Sequence, residues 1–130
     1  MNQSFRKNLR GYISSGKIGE NFFPQKVQNL CLKSYCDNNN FNFLLSSTEF
    51  KMKNSNLVFK GLIEEASKFD GIIFFSINQL DTDKLNLLNK ILKKKKEIHF
   101  YLENIKLKNI KDLKKTYFLK KIDQILKVKS

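Results

Sequence analysis

Four hydroxyl and carboxylate side chains stand at or just after the ends of short apolar runs in this sequence. Ser14 and Ser15 follow the run LRGYI, and Glu49 and Glu103 come at the ends of two later segments. A hydroxyl beside a carboxylate is the simplest pairing for nucleophilic or acid–base work, here on an activated sugar. These four residues are our catalytic candidates, although Ser15 is better explained as a turn residue that bonds to nearby backbone.

Amide and hydroxyl groups are expected to share one crevice with these candidates. In open α/β sheets ligands sit outside the carboxyl ends of the strands, and the candidates follow predicted strands. Such groups suit sugar hydroxyls or a phosphate ester, but the same residue types also favour turns and helix caps. The ligand-binding set predicted for this crevice is Arg10, at the base of the first strand, with Ser14, Gln28, Asn29, Glu49, Ser76, Asn78 and Gln79.

Familiar catalytic and metal motifs are missing from the sequence. Gly16–Lys17 lacks the upstream glycine of a phosphate-binding P-loop, and no GxGxxG follows the first strand. His99 is the only histidine, which excludes Ser–His–Asp and HExxH sites, and we interpret it as a packed strand residue. Cys31 and Cys36 have the spacing of neither a zinc knuckle nor a CxxC pair, so we expect free thiols in a reducing compartment. We predict no metal and no cofactor.

Apolar runs alternate with helical spacing along the chain, and this alternation predicts the elements that carry the candidates. The continuous run Ile72–Phe75, after the turn signal Asp70–Gly71, is typical of a strand buried on both faces of a parallel sheet. We predict an α/β three-layer sandwich with a mostly parallel four-stranded sheet in the order 2-1-3-4, plus a C-terminal amphipathic helix. The predicted strands are 9–14, 41–45, the run 72–75 and 97–103, and the predicted helices begin near residues 25, 55, 82 and 108.

The length of 130 residues fits a single domain. Residues 1–8 are polar and basic and are predicted to be a flexible tail. Residues 108–128 form the last predicted helix, whose apolar stripe suits packing on the sheet or pairing in a homodimer. No apolar run reaches the roughly 18 residues of a membrane span, and the N-terminus has no apolar signal region, so we expect a cytoplasmic protein.

A formal net charge of +13 favours a polyanionic partner such as nucleic acid, anionic lipid or a phosphorylated sugar carrier. Of the 25 basic residues only Arg6 and Arg10 are arginines, which leaves 23 lysines. Because arginine is preferred for bidentate phosphate and guanine contacts, this argues against a sequence-specific DNA reader, and compositional drift is an alternative source of the charge. Lys93–Lys96 is interpreted as a solvated helix end, where cations suit the helix dipole.

The order of several motifs resembles the catalytic domain of serine recombinases, the resolvase and invertase group. The resemblance implies a resolvase-like fold in which a serine at the end of the first strand is the nucleophile that attacks DNA. It rests on GYISS at 11–15, Gln25 and Gln28, DGIIFFSINQLDT at 70–82 and YLEN at 101–104.

The sequence also departs from the recombinase pattern at the residues that matter for catalysis. Where the family has Asp-Arg-Leu-x-Arg, this chain has NQLDT at 78–82, and Ile13 precedes Ser14 where a further arginine is expected. Those cations stabilise the scissile phosphate and its developing charge. The resemblance therefore implies the fold, and active DNA recombination is not expected.

A resemblance over nearly the whole chain is to the sporadic carbohydrate cluster protein family, small proteins encoded among bacterial glycan biosynthesis genes. It implies a role in surface polysaccharide production, and it adds Gln25 and Asn54 to the ligand-binding candidates. It rests on RGYISS (10–15), PQKVQNLCLKSYC (24–36), FLLSSTEF (43–50), GIIFFSINQL (71–80) and KKKEIHFYLEN (94–104).

We therefore expect an accessory protein of glycan biosynthesis that binds a sugar-phosphate-type ligand, such as a sugar nucleotide or a lipid-linked sugar, or a partner enzyme. Two alternatives stay open. One is a nucleic-acid-binding serine-recombinase-like domain, although nucleic acid is the less favoured partner. The other is an enzyme that acts on an activated sugar through the four catalytic candidates.

Overall fold

The computed structural model describes residues 6–18, 20–49, 57–80, 82–109 and 111–112. Asn54 and most of the predicted last helix lie outside these residues. No helix among them is both long and apolar enough to cross a membrane. The strands are β1 (Asn8–Ser14), β2 (Lys17–Ile18), β3 (Asn21–Phe22), β4 (Asn42–Glu49), β5 (Gly71–Phe74), β6 (Glu97–Phe100) and β7 (Ile105–Leu107), and the helices are α1 (Gln25–Asn38), α2 (Leu57–Glu64) and α3 (Thr82–Lys93).

Five of the strands form one sheet in the order β4-β1-β5-β6-β7. β4, β1, β5 and β6 run parallel, in the relative order predicted for four strands, and β7 is antiparallel to β6. The predicted strand count, and with it the full order, is corrected by this additional edge strand. The chain reverses after β6 through a turn in which Asn104 adopts a left-handed φ of 54°.

Two predicted strand boundaries also change. β6 stops at Phe100 instead of reaching Glu103, because the reversing turn begins there. β4 continues to Glu49, because it keeps pairing with β1 beyond a bulge at the exposed Leu45. The segment after Ser14 also contains a short antiparallel pair, β2–β3, which is absent from the predicted strands.

The sheet lies between two helical layers. α1 covers one face through a core that includes Leu32 and Ile73, while α2 and α3 cover the other face through Phe59, Leu88 and Ile72. Successive residues of β5 therefore point into opposite cores, and all four of its residues are buried. This is the doubly buried central strand that the continuous apolar run predicts.

The parallel strands begin at one edge of the sheet, here called the amino edge, and end at the opposite carboxyl edge. At the amino edge the Asn8 N–H donates to the Asp70 carboxylate at 2.7 Å, and the Asp70 N–H donates to the Asn8 carbonyl at 2.8 Å. The Asn42 N–H bonds to the Lys7 carbonyl at 2.9 Å, and the Glu97 N–H to the Asp70 carbonyl at 3.0 Å. Lys7 and Asn8, placed in the predicted tail, are therefore bonded to neighbouring strands.

α1 and α3 end in the same way, with one residue in the left-handed conformation. Asn40 follows α1 with a φ of 61°, and the next N–H, of Phe41, bonds back to the Cys36 carbonyl at 2.9 Å. Lys95 follows α3 with a φ of 62°, and the Lys96 N–H reaches a carbonyl five residues back at 3.4 Å. Such Schellman ends favour glycine and then asparagine, so a lysine there costs about 1 kcal/mol.

Replacing Gly71 by alanine should lower the free energy of unfolding by about 1–3 kcal/mol through overpacking. A methyl group added there would lie 2.7 Å from the Glu97 carbonyl oxygen and 2.9 Å from a Leu9 methyl carbon. Gly61→Ala in α2 is the matched control, because no described atom outside its own helix lies within 4 Å of the added group. It should raise stability by about 0.5–1 kcal/mol, and equal effects in urea unfolding would contradict the close approach of β5 and β6.

Candidate functional site

The candidate site lies at the carboxyl edge, where β1, β4 and β5 end side by side. Ser14 is the last residue of β1 and pairs in register with Glu49, the last residue of β4. β5 ends at Phe74, and a short 3-10 helix, Ile77–Gln79, follows it. Candidates from three strands are therefore brought to one edge, as expected for a doubly wound sheet.

Gln28 fixes the backbone of Ser14. Its Oε1 accepts the Ser14 N–H at 3.1 Å, and its Nε2 donates to the carbonyls of Ser14 and Phe23, both at 2.8 Å. The Gln28 side chain is fully buried in the first turn of α1. These three bonds use both amide hydrogens and the amide oxygen, so Gln28 anchors α1 to β1 and is not presented to a ligand.

Gln79 holds the Ser14 hydroxyl. Its Nε2 donates to Ser14 Oγ at 2.9 Å and to the Tyr12 carbonyl at 3.2 Å, and its Oε1 accepts the Ser76 N–H at 2.9 Å. Ser76 in turn caps the 3-10 helix by accepting the Asn78 N–H at 3.1 Å. Ser76 and Gln79 were expected to leave the core and line a crevice, and both are instead buried, because a capping box folds them inward.

Glu103 closes the same turn from the other side. Its Oε2 accepts the Ser76 hydroxyl at 2.7 Å, and its Oε1 accepts the Ile77 N–H at 2.8 Å. The predicted proximity of Ser76 and Glu103 is therefore found. The carboxylate is used to stabilise the turn after β5, which is a structural role and leaves Ser14 without this base.

Glu49 is buried between β1 and the start of α2. Its Oε1 accepts the Tyr12 hydroxyl at 2.9 Å, and the N–H groups of Val58 and Phe59 each bond to a carboxylate oxygen at 3.3 Å. A carboxylate at a helix N-terminus satisfies N–H groups that have no partner within the helix and is favoured by the helix dipole. Glu49 thus serves α2, where the sequence suggested a catalytic base.

Arg10 lies four residues before Ser14, about 13 Å earlier along β1 at the usual rise of a strand. Its Nη2 donates to the Ser47 hydroxyl at 3.1 Å. Its Nε is buried and has no hydrogen-bond partner in the described part of the chain. The one arginine among the ligand-binding candidates is therefore separate from the Ser14 hydroxyl.

The remaining predicted site residues take little part in this arrangement. Ser15 donates its backbone N–H to the carbonyl at the end of β4 at 3.1 Å. Gln25 and Asn78 are exposed and Asn29 is half-buried. Asn54 lies outside the described residues.

The buried polar side chains described around Ser14 are neutral amides and internally bonded carboxylates. Acyl or phosphoryl transfer needs a base beside the nucleophile, and cations or N–H donors aimed at the developing charge. The Ser14 hydroxyl instead accepts from a neutral amide, and Glu49 and Glu103 bond elsewhere. No group of three His, Cys, Asp or Glu residues that could hold a metal ion occurs in the described ranges. In the described residues these polar groups hold the ends of the strands and helices together.

A second polar cluster, which sequence analysis missed, lies beneath α1 toward the amino edge. The Tyr35 hydroxyl bonds to His99 Nδ1 at 2.8 Å, and His99 Nε2 bonds to Glu97 Oε1 at 3.1 Å. Glu97 also pairs with Lys7 and, at 3.5 Å, with Lys106. His99 is fully buried, as its interpretation as a packed residue implies. The signal available in sequence was the alternation of Glu97 and His99 on one face of a strand.

The protonation of this cluster follows from its surroundings. Burial lowers the pKa of His99, although the Glu97 carboxylate opposes the shift. Burial opposes ionisation of Glu97, but hydrogen bonds from Lys7 and His99 outweigh it and lower the pKa of Glu97. A neutral His99 then donates from Nε2 to the carboxylate and accepts the Tyr35 hydroxyl at Nδ1. Burial raises the pKa of Tyr35, so this hydroxyl stays protonated as a donor.

Among solved structures, the chain is similar to the N-terminal catalytic domain of TP901-1 integrase, seen in a crystal structure. The TM-score is 0.69 at 17% sequence identity, and the match covers 93% of this chain and 99% of that domain. This similarity shows the fold alone, and it confirms the expected resolvase-like α/β architecture. No family model matches the sequence, and no curated protein matches it. Membership of the sporadic carbohydrate cluster family therefore has no support in these comparisons.

The free energy of unfolding should fall as the pH drops below about 6.5, because of the buried His99. Its pKa is below the ordinary value of 6.5, so between the two values the unfolded chain binds a proton that the folded chain does not. His99 is the only histidine in the sequence, which makes the assignment direct. Urea unfolding measured from about pH 7.5 down to about pH 5 checks this.

The control is His99→Gln, because glutamine does not titrate and the sequence contains no other histidine. Its free energy of unfolding should stay level between about pH 6.5 and pH 5. Below the ordinary Glu value of 4.5, both proteins should lose stability, because the lowered pKa of Glu97 favours the folded state only while Glu97 is ionised. Equal slopes for the two proteins near pH 6 would show that the buried histidine is not the cause.

Proposed function

We propose that this chain is a DNA-binding domain of serine-recombinase-like fold that does not cut DNA. The observation that carries the proposal is the 2.9 Å hydrogen bond from Gln79 Nε2 to Ser14 Oγ. Ser14 stands at the end of β1, the position that the recombinase resemblance gives to the nucleophile. Gln79 stands in the sequence where that family has an arginine, so a neutral amide takes the place of a cation beside the hydroxyl.

Loss of the cations supports a domain without strand-cleaving activity. Attack of a serine on a phosphodiester builds negative charge on the phosphoryl oxygens, and preorganised donors lower that barrier. Removing one such donor typically costs about 10²–10³ in rate, and the family's two arginines at 78–82 and the one before Ser14 are all replaced. Among the described residues the Ser14 hydroxyl is bonded to a neutral amide and to no cation or carboxylate, so these surroundings supply neither the charge nor the base that cleavage requires.

Binding is supported by charge together with fold. A similar solved structure is an integrase catalytic domain, and this chain has a formal net charge of +13. Exposed lysines attract phosphates without reading sequence, because they act as point charges that release condensed counterions. The expected activity is therefore salt-dependent binding that differs little between DNA sequences.

The glycan-biosynthesis interpretation has no observation in its favour, and we do not build on it. Of the hydroxyl and amide groups that suggested a sugar crevice, those of Ser14, Gln28, Ser76 and Gln79 are engaged with other protein groups in the described structure. A sugar nucleotide, a lipid-linked sugar or a glycan-biosynthesis enzyme as partner stays a prediction, as does a homodimer through residues 108–128.

Fluorescence anisotropy with a labelled duplex of about 30 base pairs tests the binding. For six or more phosphate contacts, affinity should fall about 10³-fold or more between 50 and 200 mM salt, and two unrelated sequences should behave alike. No binding at 50 mM salt would refute the proposal. Binding to one sequence that survives physiological salt would refute its sequence-independent character.

A covalent-trapping assay tests the absence of cleavage. Incubation with a nicked duplex, followed by denaturing electrophoresis, should give no protein–DNA adduct. Ser14→Ala should bind DNA within about twofold of the wild type, because no phosphate contact is assigned to Ser14, while losing about 1 kcal/mol of stability with the Gln79 bond. An adduct that forms with the wild type and disappears in Ser14→Ala would show that the serine is active.

A further inference from the structure

We infer that DNA engages the amino edge of the sheet, through Lys68, Lys94 and Lys95, and not the carboxyl edge where Ser14 lies. The inference rests on the proposed function, because it names the surface through which that function would act. The amino edge is where the parallel strands begin, whereas a recombinase nucleophile would stand where β1 ends. Lysine substitutions at the two edges should therefore have different effects on DNA binding.

Strand register brings these lysines together. β5 and β6 are parallel neighbours in which Gly71 pairs with Glu97. Lys68 and Lys94 each stand three residues before one member of this pair, so they lie on adjacent connections at the same edge. Lys95 follows in the turn that ends α3. Neighbouring strands lie about 4.8 Å apart, close enough for these side chains to reach one phosphate backbone.

Other basic residues extend the same edge. β7 runs antiparallel and ends there, which places Lys108 beside the starts of the parallel strands. Lys7 and Lys106 are also at this edge, but both pair with Glu97. Acidic residues on this side therefore neutralise part of the lysine charge. By contrast Lys68, Lys94 and Lys95 are exposed, and they form no ion pair with any described residue.

The backbone conformation of Lys95 independently supports a functional role for this edge. Its φ of 62° is a conformation that favours glycine, and the equivalent position after α1 is filled by Asn40 with a φ of 61°. The end of α1 thus has an asparagine, which tolerates this conformation, whereas the end of α3 has a lysine, for which the same conformation costs stability. A cation near a helix C-terminus is stabilised by the helix dipole. Lys93 and Lys94 already supply that positive charge without adopting a left-handed backbone.

Two variants with the same net charge distinguish DNA binding at the amino edge from DNA binding at the carboxyl edge. The amino-edge variant is Lys68→Gln, Lys94→Gln and Lys95→Asn, in which asparagine tolerates the left-handed backbone. The carboxyl-edge control is Lys17→Gln, Lys26→Gln and Lys60→Gln, all exposed residues near the ends of β1 and β4 or on the helices that begin there. Each removes three charges, so both proteins go from +13 to +10.

The measurement is the slope of log affinity against log salt for the same duplex. Each lost phosphate contact should reduce the slope by about 0.9, so the amino-edge variant should lose about 2–3 while the carboxyl-edge control keeps the wild-type slope. Equal losses, or a larger loss in the control, would overturn the inference and leave the proposed function standing. No binding by the wild type at 50 mM salt would instead overturn the proposed function.

Lys95→Gly tests the same inference in a variant that is expected to be more stable than the wild type. Glycine relieves the backbone cost, so the midpoint of urea unfolding should rise. The salt slope should nevertheless fall by about 0.9, because one phosphate contact is lost. A protein that becomes more stable and keeps the wild-type slope would show that Lys95 is only a helix end, and would overturn its role in DNA binding.

Discussion

The side-chain amide of Gln79 bonds to the Ser14 hydroxyl, the Tyr12 carbonyl and the Ser76 N–H. A buried primary amide that loses a partner costs about 1–3 kcal/mol, so all three bonds constrain the fold. They connect the last residues of β1 to the segment that follows β5. The position of Ser14 is therefore a consequence of satisfying a buried amide, and the neighbouring capping box of Ser76 follows from the same requirement.

The other buried polar groups at the carboxyl edge obey the same rule. Gln28 joins α1 to β1, Glu49 satisfies the first N–H groups of α2, and Glu103 holds the turn after β5. Each of these residues was a candidate for ligand binding or catalysis on sequence grounds. Burial changes the interpretation, because a buried hydrogen-bonding group must find its partners within the protein. The buried polar groups described at this edge therefore stabilise the fold.

The sequence was most informative about the parallel strands. The run Ile72–Phe75 has no polar break, and such a run buries both faces of a strand, so its place at the centre of the sheet could be predicted. The strand Ile105–Leu107 could not, because three residues carry too little pattern and depend on the left-handed Asn104 before them. The order of the parallel strands follows from right-handed connections. The antiparallel pairing of β7 with β6 depends instead on the one turn that joins them.

The candidate site was harder to predict, because ligand contacts and helix caps draw on the same residue types. Ser76 and Gln79 looked like the polar rim of a crevice, and only the fold shows that they bond to each other. The Tyr35–His99 contact spans 64 residues of sequence, so no local spacing announces it. Glu97, two residues from His99 on the same strand face, was the one local indication of a buried polar cluster.

The two edges of the sheet differ in how the chain departs from local rules. At the carboxyl edge every buried amide and carboxylate described above has a partner, so the unusual residues there are explained by stability. At the amino edge Lys95 adopts a left-handed backbone at a helix end where the same chain uses Asn40 elsewhere. Local choices that cost stability without a structural gain are expected where a protein acts. This contrast favours the amino edge as the surface of the proposed function, while the buried polar groups described at the Ser14 end stabilise the fold.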